Sequence, residues 1–455
     1  MKVAKFGGSS VATAEQIKKV LNIVNSDDNR NIIIVSAPGK RHAEDVKTTD
    51  LLIRLYEKVI QNLDYLSKKQ EIVQRYADII DALHMHDGLL SKIDQTLDHY
   101  ITTLKDKPNR LFDALLSCGE NFNAQLIAEY NNSQGVPTRY ISPGEAGIQV
   151  TDLPQNAQIL DQSYEALYKL RNYKEKLIIP GFFGVSRQNY IVTFPRGGSD
   201  ITGAIVARGV RADLYENFTD VSGIFRANPT IVKNPEVIDE ITYREMRELS
   251  YAGFGVFHDE ALQPLHKDRI PVVIKNTNRP DDIGTFIRHD REINSNNVIS
   301  GISCDKGFTV LNIKKYLMNR EVGFTRKILA ILEDYNISFD HMPSGIDNIS
   351  IIMRSKEIQN KEEKVLNDIR EKCDVDELSV EHDLAILMIV GEGMHRIIGT
   401  ANTITHALAE SKINLKMMNQ GASEISIMFG IDVADADKAV KSTYEYCYNG
   451  KCLKI

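Results

Sequence analysis

At 455 residues, 42% hydrophobic and 26% charged, the chain is too long for one ordinary core and too balanced to be fibrous or disordered, so roughly two to four domains are expected. A formal net charge of −7 argues against general nucleic-acid binding, and means that a polyanionic substrate must be met by local cations or a metal. Five cysteines (Cys118, Cys304, Cys373, Cys447, Cys452) without a CxxC pair read as reduced thiols rather than a zinc site, and no apolar run has signal-peptide or membrane length, so a cytoplasmic protein without a membrane partner is expected.

The first strand reads as Val3–Phe6 and the first helix as Thr13–Asn25. Between them stands Lys5-Phe6-Gly7-Gly8-Ser9-Ser10, which serves equally as a plain βα turn or as a phosphate cradle at a helix N-terminus. The lysine precedes the glycines, so this is not the Walker A order. Further strands are expected at Ile32–Ser36, Thr138–Ile141, Leu177–Ile179, Tyr190–Thr193, Asp213–Phe218 and Pro271–Ile274, with helical stretches between most of them. That alternation is the pattern of an α/β domain with a largely parallel sheet. Leu51–Leu104 reads as a long helical insert forming a packed flank of the same domain.

After Arg291 the run EINSNNV reads as a linker, and beyond it lies an internal repeat. At an offset of 76, residues 309–353 lie over 385–429 without a gap: Leu311 meets Leu387, Arg320 meets Arg396, Gly323 meets Gly399, and Ile349-Ser350-Ile351 meets Ile425-Ser426-Ile427. Each copy reads as a small βαββ module, and two such modules are expected to pair their sheets. The expected domains are 1–295, 299–380 and 381–455.

Three more segments fall at expected strand ends, where α/β folds place ligands. Glu120, in Ser117-Cys118-Gly119-Glu120, is either a surface residue or a carboxylate aimed at an ammonium, on a helix the segment opens or interrupts. In Arg196-Gly197-Gly198-Ser199-Asp200, Ser199 or Asp200 can cap a helix; alternatively Arg196 forks a carboxylate while Asp200 organises a metal or a lysine. Thr219 and Asp220 form an ordinary turn or hold part of a nucleotide. The combined set suits phosphoryl transfer from a nucleotide to a small acid, where positioning and charge neutralisation supply most of the catalysis. His42, His258 and His266 have no spacing that implies catalysis or metal binding.

Lys5–Val11, Ser117–Glu120, Gly181-Phe182-Phe183-Gly184, Arg196–Asp200 and Thr219–Ile224 together resemble the aspartate kinase family in order and spacing, and the paired C-terminal modules resemble its two ACT domains. The resemblance covers essentially the whole chain and fits a monofunctional member without a fused dehydrogenase. It implies an amino-acid-kinase α/β/α sandwich followed by two ferredoxin-like ACT domains, a strand of one able to interleave with the other, converting L-aspartate and ATP, with Mg2+, to L-4-aspartyl phosphate and ADP on the way to lysine, threonine and methionine. It further implies catalytic roles for Lys5 and Asp200, and aspartate contacts from Thr49, Glu120, Arg196, Gly197, Gly198 and Ser199. Gly7, Gly8, Ser9, Ser36, Thr219, Asp220 and Phe225, with Lys5, would contact ATP. No residue is assigned directly to the metal.

Two positions depart from the family pattern. Gly255 stands where relatives carry a nucleotide lysine, and Thr230, in Asn228-Pro229-Thr230, where they commonly carry an arginine. Lys40, Arg41, Arg226 or Lys233 would substitute, or ATP binds more weakly. The resemblance also implies an amino-acid effector, lysine in preference to threonine, near Met318, Asp340, Ser344, Gly345 and Asp347, with Asn419 and Gln420 completing the site across an ACT-mediated homodimer or homotetramer; the same loop reads equally as a solvated turn. Competing readings are a glutamate or acetylglutamate kinase of the same fold and a catalytically silent amino-acid sensor.

Overall fold

In the computed structural model, which describes residues 1–195, 197–254, 259–293, 298–421 and 423–448, the first strand β1 (Lys2–Phe6) is buried from Val3 onward. Helix α1 (Ala14–Asn25) is capped by Thr13, whose hydroxyl accepts the Gln16 N–H at 3.3 Å. A 3-10 turn over Gly8–Val11 intervenes, so the glycine pair does not form the α-helix N-terminus that a direct strand-to-helix turn would give. Strand β2 (Arg30–Val35) leads to the insert, which is three helices: α2 (Thr48–Ile60), α3 (Leu66–Ala82) and α4 (Gly88–Leu104). Helix α5 (Pro108–Ser133) runs unbroken through Ser117–Glu120, so that segment neither opens nor interrupts it.

The chain continues through β3 (Thr138–Tyr140), β4 (Gln149–Val150), β5 (Lys176–Pro180), β6 (Phe183–Ser186), β7 (Ile191–Thr193), β8 (Leu214–Thr219), β9 (Glu240–Thr242), β10 (Val272–Asn276) and β11 (Thr285–Arg288). Eight strands form one sheet in the order β3-β5-β2-β1-β8-β10-β11-β9, parallel except where β10 meets β11. Near-continuous apolar runs such as Ile32-Ile33-Ile34-Val35, all buried, suit a sheet covered on both faces. The strand expected at Tyr190–Thr193 is β7, but it pairs antiparallel with β6 in a separate three-stranded sheet with β4.

The chain divides into two compact units, 1–224 with 237–246 and 255–291, and 225–236 with 247–254 and 292–455. Residues 225–236 and 247–254 therefore depart from the catalytic domain expected over 1–295: Ala227 and Val232 are buried in the C-terminal core, and the Ala252 carbonyl accepts the Ser303 hydroxyl at 2.5 Å. The C-terminal unit is built on one antiparallel sheet of β12 (Gly301–Lys314), β13 (Asn348–Arg354), β14 (Glu377–Val390), β15 (Met417–Gln420) and β16 (Ser426–Asp432), ordered β13-β12-β14-β16-β15.

The boundary expected at residue 380 falls inside β14, because both long strands serve two cores. Leu311 and Ile313 of β12 pack with Leu378 and Val380 of β14 in one core, while Ile302 and Cys304 of β12 join Leu387 and Ile389 of β14 in the other. The two copies also differ. The second forms its middle strand, β15, whereas the first shows only isolated bridges, His341 to Ile352 and Ser344 to Ile349.

Candidate active site

Strands β5, β2, β1 and β8 are neighbours running in one direction, so the residues after their C-terminal ends share one edge of the sheet. A cavity of about 670 Å3 opens there, lined by Phe182 after β5, Ser36 to Lys40 after β2, Gly7, Gly8 and Ser9 after β1, and Thr219 and Asp220 at the end of β8. Glu120, Thr49 and Gly197 to Asp200 line the same cavity, as do His42, Ala43 and Lys47. The structure thus gathers nearly all the residues expected around aspartate and ATP.

On one wall the Lys5 ammonium lies 2.6 Å from Asp200 Oδ1, both side chains being largely buried. Asp200 stands in the first turn of the helix Gly198–Gly209. That helix is capped by Gly197 in the left-handed region (φ +79°), a conformation glycine adopts without strain, so neither Ser199 nor Asp200 is the cap. Asp200 Oδ1 also accepts the Asn217 side-chain N–H at 2.7 Å. Asn217 sits on β8 directly beside Lys5 on β1, so the ladder itself fixes this three-residue network. Asn217 was not singled out from the sequence; its signal is a polar pair, Glu216-Asn217, between Tyr215 and Phe218 in a strand-like run, and both residues of the pair are buried.

On the other wall Glu120 is buried in α5, and among the described residues its Oε2 has no hydrogen-bond partner. Burial pushes its carboxyl up to about 8, against the opposing pull of the Ala37 N–H and the Lys5 charge. A buried acceptor without a partner inside a cavity is chemistry waiting for a donor. Beside it, Asn123 donates to the Ser36 carbonyl at 2.7 Å and fixes the mouth of the loop after β2, another residue the sequence reading passed over. Thr49 is half-buried near the start of α2.

Other expected positions separate. Arg196 and Gly255 lie outside the described residues, as does His258. Phe225 belongs to the C-terminal unit and is not among the residues lining the cavity. Of the proposed substitute cations, only Lys40 lines it; Arg41 is held by Asp45 and Asp78, and Arg226 and Lys233 belong to the C-terminal unit, where Arg226 pairs with Glu236 at 3.1 Å. Lys47 is a lining cation the sequence reading did not propose.

The effector residues fall on opposite edges of the C-terminal sheet. Asp340, Ser344, Gly345 and Asp347 lie in the loop leading to β13, whereas Asn419 and Gln420 are on β15, with three strands between. One chain cannot bring these two groups to one small ligand. Asp347 is already engaged, accepting the Leu317 N–H at 2.9 Å next to buried Met318, and Asp340 accepts a hydrogen bond from the Tyr251 hydroxyl. The Gly345 N–H donates to the Asn348 carbonyl at 2.8 Å.

Residues 1–276 match the amino acid kinase family and residues 387–446 match an ACT domain. Aspartokinase 3 of Bacillus subtilis (strain 168) is 47% identical over 451 residues, 99% of each chain. The chain belongs to the aspartokinases. It therefore phosphorylates aspartate at the expense of a nucleotide, and the glutamate, acetylglutamate and silent-sensor readings give way. The structure of Clostridium acetobutylicum aspartate kinase matches with a TM-score of 0.85 at 40% identity, over 98% of this chain and 100% of that one. E. coli aspartokinase III, 24% identical, has been solved with aspartate and ADP (TM-score 0.78) and with lysine and aspartate (0.73), each covering 98% of this chain and 99% of that one; at this identity the likeness speaks for the fold alone. Among the described residues no helix is long and apolar enough to cross a membrane.

Proposed function

We infer that the cleft at the ends of β5, β2, β1 and β8 transfers the γ-phosphoryl group of ATP to the β-carboxylate of L-aspartate. The observation that carries this reading is the facing of an Asp200-paired lysine over glycine turns and a buried glutamate with one unpartnered oxygen within one cavity. A carboxylate oxygen of aspartate attacks the γ-phosphorus as the bond to the bridging oxygen of ADP breaks, and no proton is lost or gained. The attacking and leaving groups are both anionic, so the barrier is governed by charge neutralisation and alignment. Lys5, held by Asp200 and Asn217, meets charge on the transferring group; the Gly7–Ser9 turn offers backbone N–H groups; Glu120 takes the substrate ammonium; Thr49 and Ser199 orient aspartate. Arg196 is assigned the α-carboxylate from its place in the motif.

Among the described residues no group of three or more His, Cys, Asp or Glu side chains could hold a metal. Asp200 is already paired with Lys5, and Asp220 is exposed. This sparse donor set fits a cation that arrives on the nucleotide phosphates, so Mg2+ is assigned as part of the MgATP substrate, with Asp200 and Asp220 as the nearby acceptors. Bound there, Mg2+ would neutralise charge on the nucleotide phosphates.

The reading extends to feedback inhibition by lysine at the Asp340 loop, and to a homodimer or homotetramer through the ACT modules. The separation of Asp340 from β15 supports an effector site completed by a second chain. A cytoplasmic enzyme at the first step towards lysine, threonine and methionine is the setting proposed. The test is to trap acyl phosphate with hydroxylamine in reactions of MgATP with aspartate, glutamate or acetylglutamate. Hydroxamate from aspartate is expected, suppressed by added lysine; hydroxamate from glutamate alone would sink the reading.

A further inference from the structure

The helical insert reads from sequence as a packed flank, yet two adjacent residues of α3 reach both walls of the cleft. Arg75 is 4% exposed, and its guanidinium donates to the Gly39 carbonyl at 3.1 Å, to Asp45 Oδ1 at 2.9 Å and to the Val46 carbonyl at 2.7 Å. Asp45 also holds Arg41, which reaches back to Asp78 of the same helix at 3.0 Å. The Gly39 N–H in turn donates to the Gly8 carbonyl at 2.8 Å. A Cβ on Gly39 would stand 2.7 Å from the carbonyl carbon of Gly8, so only glycine permits this approach. A direct line therefore runs from α3 through Arg75 and Gly39 to the glycine turn after β1.

Tyr76, the next residue, is fully buried and donates its hydroxyl to the Gly119 carbonyl at 2.8 Å, immediately before Glu120. Its ring is fixed edge-on against Phe122 with centroids 5.7 Å apart. Burial holds the phenol well above its ordinary range, so it remains a donor. One helical turn thus grips the loop that lines the nucleotide side and the turn that carries the substrate-facing carboxylate.

We propose that Arg75 and Tyr76 are positioning residues for phosphoryl transfer, Arg75 setting the nucleotide wall through Gly39 and Gly8 and Tyr76 setting the aspartate wall through Gly119 and Glu120. The proposal rests on the reading made above, in which the Gly7–Ser9 turn meets the nucleotide phosphates and Glu120 takes the aspartate ammonium. Its physical basis is that small displacements of groups aligned on a transferring phosphoryl group are costly, and that a planar guanidinium holds its acceptors in a fixed fork, a geometry that the single ammonium of a lysine does not reproduce.

The test varies MgATP and aspartate separately for wild type, Tyr76→Phe, Arg75→Lys and Arg75→Met, with thermal melts alongside. Tyr76→Phe is expected to raise the aspartate KM by about threefold to tenfold, leaving the ATP KM within about twofold. Arg75→Met is expected to lower kcat/KM for ATP on the order of 100-fold, with aspartate KM within about threefold, and Arg75→Lys to recover part of the loss. Equal changes for both substrates, or normal kinetics with a lowered melting temperature, would overturn the proposal, since a purely structural pair would produce them. Hydrogen exchange reads the brace without turnover and without relying on Arg75→Met folding. Arg75→Lys should speed exchange across residues 37–47 by about tenfold and leave 118–121 unchanged; unchanged exchange over 37–47 overturns the Arg75 half. Wild type that yields no hydroxamate from aspartate would instead sink the assignment of substrate, leaving the exchange result to decide the brace.

Discussion

On the Lys5 wall of the cleft, the ammonium is paired with Asp200 and Asp200 with Asn217, so the charge is oriented before any ligand arrives. Across the cavity Glu120 stands buried with one oxygen unpartnered and its carboxyl pushed up to about 8. The first wall is satisfied and rigid; the second is under-satisfied until a cation enters. The difference separates two kinds of work. A group that must stabilise developing charge is best preorganised, because reorganisation during the reaction adds to the barrier. A group that must recognise an ammonium gains by being poorly solvated, since the substrate then restores what burial has taken.

The largest effect that would break this division is at Lys5. Lys5→Ala should lower kcat by ~10²–10³ with a cooperative thermal transition retained, the cost of removing one preorganised charge. It should also leave the aspartate KM little changed, and near-normal turnover would show that another cation meets the phosphoryl group. Glu120→Gln should act on the other quantity, lowering kcat/KM for aspartate by about 10–100-fold through loss of a charge-assisted pair. Its pH behaviour sharpens the contrast. The folded enzyme holds a proton on Glu120 up to about 8, whereas the unfolded chain releases it near the ordinary value of 4.5. Stability of the ligand-free wild type therefore carries a contribution that is full below the lower value and is lost as pH rises through the upper one. Glu120→Gln should flatten that dependence and melt higher than wild type at pH 8 without ligand, and aspartate should narrow the gap. A wild-type melting curve with no extra slope in this window would remove Glu120 as the titrating group.

How legible these walls were depends on how local their chemistry is. Lys5, Gly7, Gly8 and Asp200 stand in or beside glycine-marked turns at strand ends, and strand-like runs alternating with helical stretches placed β1, β2, β5, β8 and β10. Asn217 was harder to see, because its role comes from the register of two strands far apart in sequence, Lys5 opposite Asn217. Arg75 and Tyr76 were hidden for a related reason: an apolar helical stripe reads as a flank whether or not two of its residues reach past the core. Short strands such as β4 and β9, only two and three residues long, leave too few positions for a period of two to register. The exchange of strand halves between the C-terminal cores entered only through the family resemblance. The offset of 76 reports that two modules are alike, and a repeat carries no information on which half of a long strand covers which core.

The smallest effect concerns the nucleotide side, where Gly255 and Thr230 leave two expected cations absent. Lys40 lines the cavity, and among the described residues its ammonium has only a backbone partner, the Ala43 carbonyl at 3.2 Å, in an exposed setting. Arg41, its neighbour, is spent on Asp45 and Asp78 and cannot serve as well. An exposed cation acts through screened Coulomb attraction, so its share of binding is modest and depends on salt. Lys40→Ala should therefore raise the ATP KM by about twofold to fivefold in low salt, and by less at 0.5 M salt, with kcat and the aspartate KM held. A fall in kcat instead would move Lys40 onto the preorganised wall with Lys5. No change at either ionic strength would hand the nucleotide to Lys47, the other cation of the same loop, and Lys47→Ala would then show the salt-dependent shift.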